Sequence, residues 1–406
     1  MSLPSRNSPE PLVRPVMPEL DSLRGIAILL VLFFHGFDVA GAMSQLQGAS
    51  RVFTILTFGG WTGVNLFFVL SGFLITGILL DSKSRPDYYR RFYIRRALRI
   101  LPAFYLLLIL LWILPRTGWL EGRHVGWPYL CLSFFYFANF TPLFGVPAQY
   151  FALWSLAVEE HFYLFWPTAV RLFSRRALVW CAGGIFILCP ILRGIDYKWI
   201  HSASTAYTWF VADGLAIGAL LGALSRGSLA NRRAMLKFSL GCFLAAVALF
   251  GALTPFGIWR GTQLFGAIFR DTAVDLFYTG FVCATLLIGT SRWKWIVQRP
   301  LLQWFGEISY GLYLVHMLAF DFVNHWIVRF APDAFAHLAS RFDVVVLRFV
   351  VSSALAVLAA FLSRRYFEEK FLRLKDRWTR SVPLSQRNSG TASSSETVAE
   401  PIRQSA

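Results

Sequence analysis

Runs of about twenty apolar residues recur along the chain, and basic residues gather in the short stretches between them. That alternation leaves few folds open. About twenty apolar residues suffice to carry a helix across the roughly 30 Å hydrocarbon core of a bilayer. In lipid, each such segment must satisfy its backbone hydrogen bonds internally, which restricts the choice to helices or a closed barrel. The chain is 56% hydrophobic and only 15% charged, which belongs to a polytopic membrane protein. The expected fold is all-α: a polytopic integral membrane bundle.

Ten full crossings are predicted, at about residues 22–42, 59–80, 100–114, 151–173, 177–194, 207–225, 236–253, 272–290, 304–329 and 344–365. The segment 128–144 is a further apolar stretch, followed closely by Pro147. If it also crossed fully, the basic cluster Arg171, Arg175 and Arg176 would fall outside, so it is predicted to be re-entrant or interfacial. Both termini are then cytosolic. This topology places 29 of the 39 lysines and arginines on the inner side and 10 on the outer, including Arg193, Arg270 and Arg348. The same bias explains the net charge of +17 and argues against nucleic acid, because the cations occupy short loops beside apolar runs. The partner they imply is the lipid bilayer.

Residues 1–17 are predicted to be a disordered cytosolic arm and 18–366 a single membrane domain. Residues 367–406 are predicted to be a cytosolic amphipathic segment and a Ser/Thr-rich disordered tail. The five cysteines lie in apolar runs without paired spacing and read as small buried hydrophobes, not metal ligands. No cleavable signal peptide is expected, since the first apolar run is long and lacks a small-residue cleavage site. Neither an internal repeat nor a soluble domain is apparent.

Chemistry concentrates in a few polar groups within the spans, where ionisable side chains are costly. Arg24 and His35 are eleven residues apart, so they share one helix face about 16 Å apart along the axis. His35 stands roughly 18 Å above the start of its span, and His316 about as far up another. Glu159, on a descending span, lies about 12 Å below the outer surface. In a core about 30 Å thick, these three reach nearly one level. An imidazole beside a carboxylate suits general-base activation of a hydroxyl. Glu159 and Glu160 point about 100° apart, so only one can face His35; Glu159 is favoured as that partner. Arg96 and Arg99, one helical turn apart, form with Arg24 a cationic rim suited to phosphates. A phosphate-bearing donor docked there, with an arm as long as that of coenzyme A, reaches His35 with its thioester.

Plainer roles compete with each of these. The arginines can be headgroup anchors, and His35 a helix–helix hydrogen-bonder or a transporter's proton relay. The Glu pair can serve packing. His161 can cap a local network, and Ser71 can simply permit close helix approach. Tyr310 and His316 can be ordinary buried polar contacts.

Five motifs in order resemble the acyltransferase-3 family of bacterial membrane O-acyltransferases. They are Leu20-Asp21-Ser22-Leu23-Arg24-Gly25-Ile26-Ala27 with His35, Gly63-Val64-Asn65-Leu66-Phe67-Phe68-Val69-Leu70-Ser71-Gly72-Phe73, and Tyr93-Ile94-Arg95-Arg96-Ala97-Leu98-Arg99-Ile100-Leu101-Pro102. Trp154-Ser155-Leu156-Ala157-Val158-Glu159-Glu160 and Ile308-Ser309-Tyr310-Gly311-Leu312-Tyr313-Leu314-Val315-His316 complete the set. The resemblance implies acyl transfer, most commonly acetyl, from cytosolic acyl-CoA to a hydroxyl of an envelope or secreted carbohydrate or glycolipid. It also implies a bacterial cytoplasmic membrane, with acyl-CoA as a co-substrate and no permanently bound cofactor. The family's Arg-x10-His maps onto Arg24 and His35, and its RxxR onto Arg96 and Arg99.

Two positions depart from the family pattern: Asn65 where Asp is frequent, and His161 where Gln is frequent. About 40 residues follow the last predicted span, so no C-terminal SGNH hydrolase-like domain is expected. His35, Glu159 and Glu160 are then the catalytic candidates, Arg24, Arg96 and Arg99 the donor-binding ones. Tyr310, His316, Asn65 and Ser71 are assigned to the substrate, and no residue to a metal. His35 acts as general base, or alternatively as the nucleophile that carries the acyl group. The rival reading is a proton-coupled transporter or flippase of an envelope precursor.

Overall fold

The structure is a computed structural model that describes residues 11–38, 45–118, 125–338 and 340–378. Among these residues the secondary structure is helical, with no strand. Helix α1 is Pro18–Phe37, α2 Gly48–Phe58, α3 Gly63–Asp81, α4 Tyr88–Ile113 and α5 Trp127–Phe134. Helix α6 is Leu153–Leu172, α7 Arg175–Ile195, α8 Thr208–Val211, α9 Asp213–Leu224 and α10 Arg232–Leu253. The chain ends with α11 Leu264–Gly289, α12 Pro300–Phe330, α13 Pro332–Ala336, α14 Phe342–Leu362 and α15 Glu369–Trp378.

Eight helical segments among the described residues are long and apolar enough to cross a membrane. They account for eight of the ten predicted crossings. The other two differ in character. Helix α6 has the length, twenty residues or about 30 Å, but Glu159, Glu160 and His161 lower its apolarity. The 207–225 segment is interrupted at Ala212, between α8 and α9. There Arg193 reaches in from α7. It donates to the Phe210 carbonyl oxygen and forms a 2.8 Å ion pair with Asp213. Thr272 donates to the same carboxylate oxygen at 2.8 Å. Arg193 and Arg348, both counted as outer cations from the sequence, are buried inside the bundle.

Further expectations are corrected. The polar loop expected before residue 59 contains α2, which continues through the turn Gly59–Thr62 into α3. The described part of the N-terminal arm is packed: Leu12 is buried, and Arg14 pairs with the buried Glu19. The basic stretch before residue 100, expected as a loop, is helical from Tyr88 onward. Segment 128–144 consists of α5 and the short turn Ala138–Phe144, neither long enough to span. Expectations for residues 1–10 and the tail from 379 lie outside the described residues.

Helix α1 is the shared wall of two cores. Its Ile28 and Val31 pack with residues of α4, α6 and α12, while Leu23 and Ala27 pack with α3, α9 and α11. Its closest approach is to α12, at a pair of glycines. A Cβ on Gly25 would strike the Leu302 carbonyl oxygen, and one on Gly306 the Asp21 carbonyl oxygen. Small residues let membrane helices meet backbone to backbone. Helices α7 and α10 lie at the other extreme, with Ile187, Leu240, Leu244 and Val247 exposed; such apolar faces suit contact with lipid. The polar residues therefore collect around α1, α3, α6 and α12.

Candidate active site

Two cavities meet inside the bundle. One is a narrow vestibule of about 80 Å³ that gathers Arg24 of α1, Arg96 and Arg99 of α4, Ser71 of α3, Glu159, Glu160 and Tyr163 of α6, and Tyr310 of α12. The second, of about 820 Å³, gathers His35 and Asp38 at the far end of α1 with Asn65, Trp154, Asp213 and Arg348. Val64, Phe68 and Tyr313 line both. They form a thin septum between the arginines and the histidine. The Tyr313 hydroxyl lies 2.5 Å from Ser155 Oγ, which latches α12 to α6 across it.

His35 is held by its own helix and by α12. Its Nδ1 lies 3.0 Å from the Val31 carbonyl oxygen and 3.3 Å from His316 Nε2. His316 Nδ1 lies 2.7 Å from the Tyr313 carbonyl oxygen. A carbonyl oxygen only accepts, which assigns a proton to both Nδ1 atoms. His316 Nε2 is then an acceptor for His35 Nδ1–H, and His35 Nε2 carries a free lone pair. His316 is fully buried behind it. The arrangement fixes tautomer and ring orientation, as a base needs from its partner.

The sequence-derived pairing of His35 with Glu159 is not what the structure contains. Glu159 Oε1 accepts from Ser71 Oγ at 2.8 Å, and Oε2 from the Tyr163 hydroxyl at 3.2 Å. The common level expected for Glu159 and His35 does not hold: Glu159 stands with Arg24 in the vestibule, whereas His35 lines the other cavity at the far end of α1. Glu160 lines the same vestibule. Arg24, Arg96 and Arg99 come together as predicted, with Arg96 stacked 4.7 Å from the Tyr163 ring centroid. Tyr310 donates to the Ile100 carbonyl oxygen at 2.9 Å, which ties α12 to the arginine helix. His161 pairs with Thr208 at 2.8 Å and stacks on Phe140, which joins α6 to α8 and the Ala138–Phe144 turn.

Asn65 donates to Asp275 Oδ1 at 2.8 Å. An aspartate there would set two carboxylates face to face, so the amide suits this neighbour. Tyr163 and Tyr313 were assigned no role from sequence. Their spacings carried a usable signal: Tyr163 is one turn from Glu159, and Tyr313 three residues before His316, each on the same helix face.

A family model described as an acyltransferase domain, the acyltransferase-3 model, matches residues 17–365. The peptidoglycan O-acetyltransferase OatA of Listeria monocytogenes is 28% identical over 75% of this chain and 49% of its own length. A Bacillus subtilis protein named "Putative peptidoglycan O-acetyltransferase YrhL" is 30% identical over 74% of this chain and 48% of its own. The chain thus spans about half the length of these curated relatives. No solved structure matches it.

Proposed function

The chain belongs to the acyltransferase-3 family, and on that premise we propose that it transfers an acyl group, most simply acetyl, from acyl-CoA on the cytosolic side to a carbohydrate hydroxyl beyond the membrane. The names of its relatives point to peptidoglycan or a related envelope glycan as the acceptor. The observation that carries this reading is the His35–His316 pair, in which His35 lines the large cavity while the arginines line the vestibule beside it.

The donor's phosphates bind Arg24, Arg96 and Arg99, and its arm runs up α1 toward His35, about 16 Å away. The acceptor hydroxyl meets His35 Nε2 in the large cavity. His35 takes the hydroxyl proton as the oxygen bonds to the thioester carbonyl carbon. The C–S bond breaks, and the departing thiolate takes that proton from the imidazolium. His316 Nε2 accepts the Nδ1–H throughout, the part that sequence reasoning gave to Glu159. Glu159, fixed by Ser71 and Tyr163, instead balances the charge of Arg96 and Arg24. Passage of the arm requires the Tyr313–Ser155 latch to part.

The test is acetylation of a glycan acceptor by protein in nanodiscs. His35→Ala is expected to lose at least about 10²-fold in rate while still binding acyl-CoA. Full activity in that variant would sink the mechanism. A transporter would move the acceptor without consuming acyl-CoA, so acyl-CoA turnover separates the two readings.

A further inference from the structure

Beyond α14 the chain makes one π-helical turn, Ser363–Glu368, that packs on α4 and α12. A single π-turn adds a residue to the helical register, re-aims the side chains after it, and occurs often at functional sites. Two adjacent arginines on this turn have opposite fates. Arg365 is exposed and pairs with Glu369 at 3.5 Å. Arg364 faces inward, and its Nη1 is buried with no hydrogen-bond partner among the described residues. The turn's own buried carboxylate, Glu368, accepts from Ser363 Oγ at 3.1 Å and attracts Arg364 and Arg99 without a direct contact to either among the described residues.

A buried, unpaired guanidinium nitrogen is costly. The neighbours of Arg364 make the cost greater. Arg99 is repelled in common by Arg24, Arg96 and Arg364. Among the described residues neither Arg96 nor Arg99 forms an ion pair, and Arg24 has only a 3.5 Å contact with Asp21. Four guanidiniums on three elements thus converge with few direct counter-ions. Such a cluster is completed by an anion with several charges and forked acceptor geometry, which is the chemistry of phosphate.

We propose that Arg364, carried on a turn packed against the arginine helix and just outside the vestibule's own lining, is a fourth phosphate-binding residue that adds to the arginine cluster around the phosphates of the acyl donor. This rests on the donor reading above. It also accounts for the π-turn, which directs one arginine inward and leaves its neighbour at the surface.

The same phosphate chemistry occurs in lipid headgroups, and the test separates the two sources. Coenzyme A is titrated against the full chain in phosphatidylcholine nanodiscs, for wild type, R364A, R364Q, R365A and R96A. R364A is expected to bind about tenfold or more weakly with an unchanged thermal midpoint, and R365A to match wild type. If alanine unfolds the turn, R364Q, which keeps the side-chain length, must show the same loss. Wild-type affinity in a folded R364A or R364Q, alongside weakened binding in R96A, overturns the role of Arg364 and leaves the donor site intact. No binding to wild type overturns both. The titration is repeated in phosphatidylglycerol nanodiscs. If R364A there loses only a lipid-dependent stabilisation while its coenzyme A affinity is unchanged, the residue is a headgroup anchor and the proposal fails.

Discussion

Nε2 of His316 stands 3.3 Å from Nδ1 of His35, with the ring centroids 4.9 Å apart. The Val31 carbonyl oxygen sets the His35 tautomer, and His316 supports the ring from a fully buried position. His316→Ala is expected to lower kcat by about ten- to a hundredfold with little change in KM for acyl-CoA. His316→Asn, whose amide oxygen can accept from His35 Nδ1–H, recovers part of the loss. Equal kcat in wild type and both variants would remove His316 from the mechanism.

Arg96 and Arg99 line the vestibule without ion-pair partners among the described residues. Arg96→Ala and Arg99→Ala are each expected to weaken coenzyme A binding about tenfold, the scale of one charge-assisted contact. Calorimetric titration checks this. Unchanged affinity in both variants places the donor elsewhere.

Asn65 donates to a buried carboxylate. Asn65→Asp replaces that hydrogen bond with repulsion and is expected to cost roughly 1–3 kcal/mol of stability. Asn65→Asp combined with Asp275→Asn restores a donor–acceptor pair and much of the thermal midpoint. A double variant no more stable than the single one would show that the contact carries no energy.

Tyr313 and Ser155 latch the septum. Tyr313→Ala opens it, and the thioester then meets water from the large cavity. The expected result is acyl-CoA hydrolysis without acceptor, measured as free thiol release. Hydrolysis at the wild-type rate counts against the septum as a barrier.

At the α1–α12 crossing, Gly25→Ala brings a methyl group against the Leu302 carbonyl oxygen. Overpacking of this kind costs roughly 1–3 kcal/mol. A lower thermal midpoint in detergent is the expected outcome, and an unchanged one would mean the helices part at no cost.

The membrane helices were legible because apolar length is a property of the sequence itself, as was the face shared by Arg24 and His35, which follows from helical pitch. Rotation about a helix axis is not encoded that way. Glu159 was expected level with His35, yet it lies in the vestibule with Arg24, where Ser71 and Tyr163 decide where its carboxylate points. Charge counting hid a second group. It treats every cation as a loop residue, so Arg193, buried against Asp213, and Arg348, donating to Asn324 and the Gly36 carbonyl oxygen, were read as outer surface. Arg364 was absorbed the same way into the inner total. Its partial burial and its unsatisfied nitrogen distinguish it from the exposed, paired Arg365.

Val64, Phe68 and Tyr313 line both cavities. If the transfer proposed above crosses the bilayer, a water-filled path joining the two cavities would discharge the cell's ion gradients. On the proposed mechanism a valine, a phenylalanine and a latched tyrosine are the stopper, and the acylated arm that parts them also fills the gap. Insulation and admission of the donor would then fall to the same three side chains.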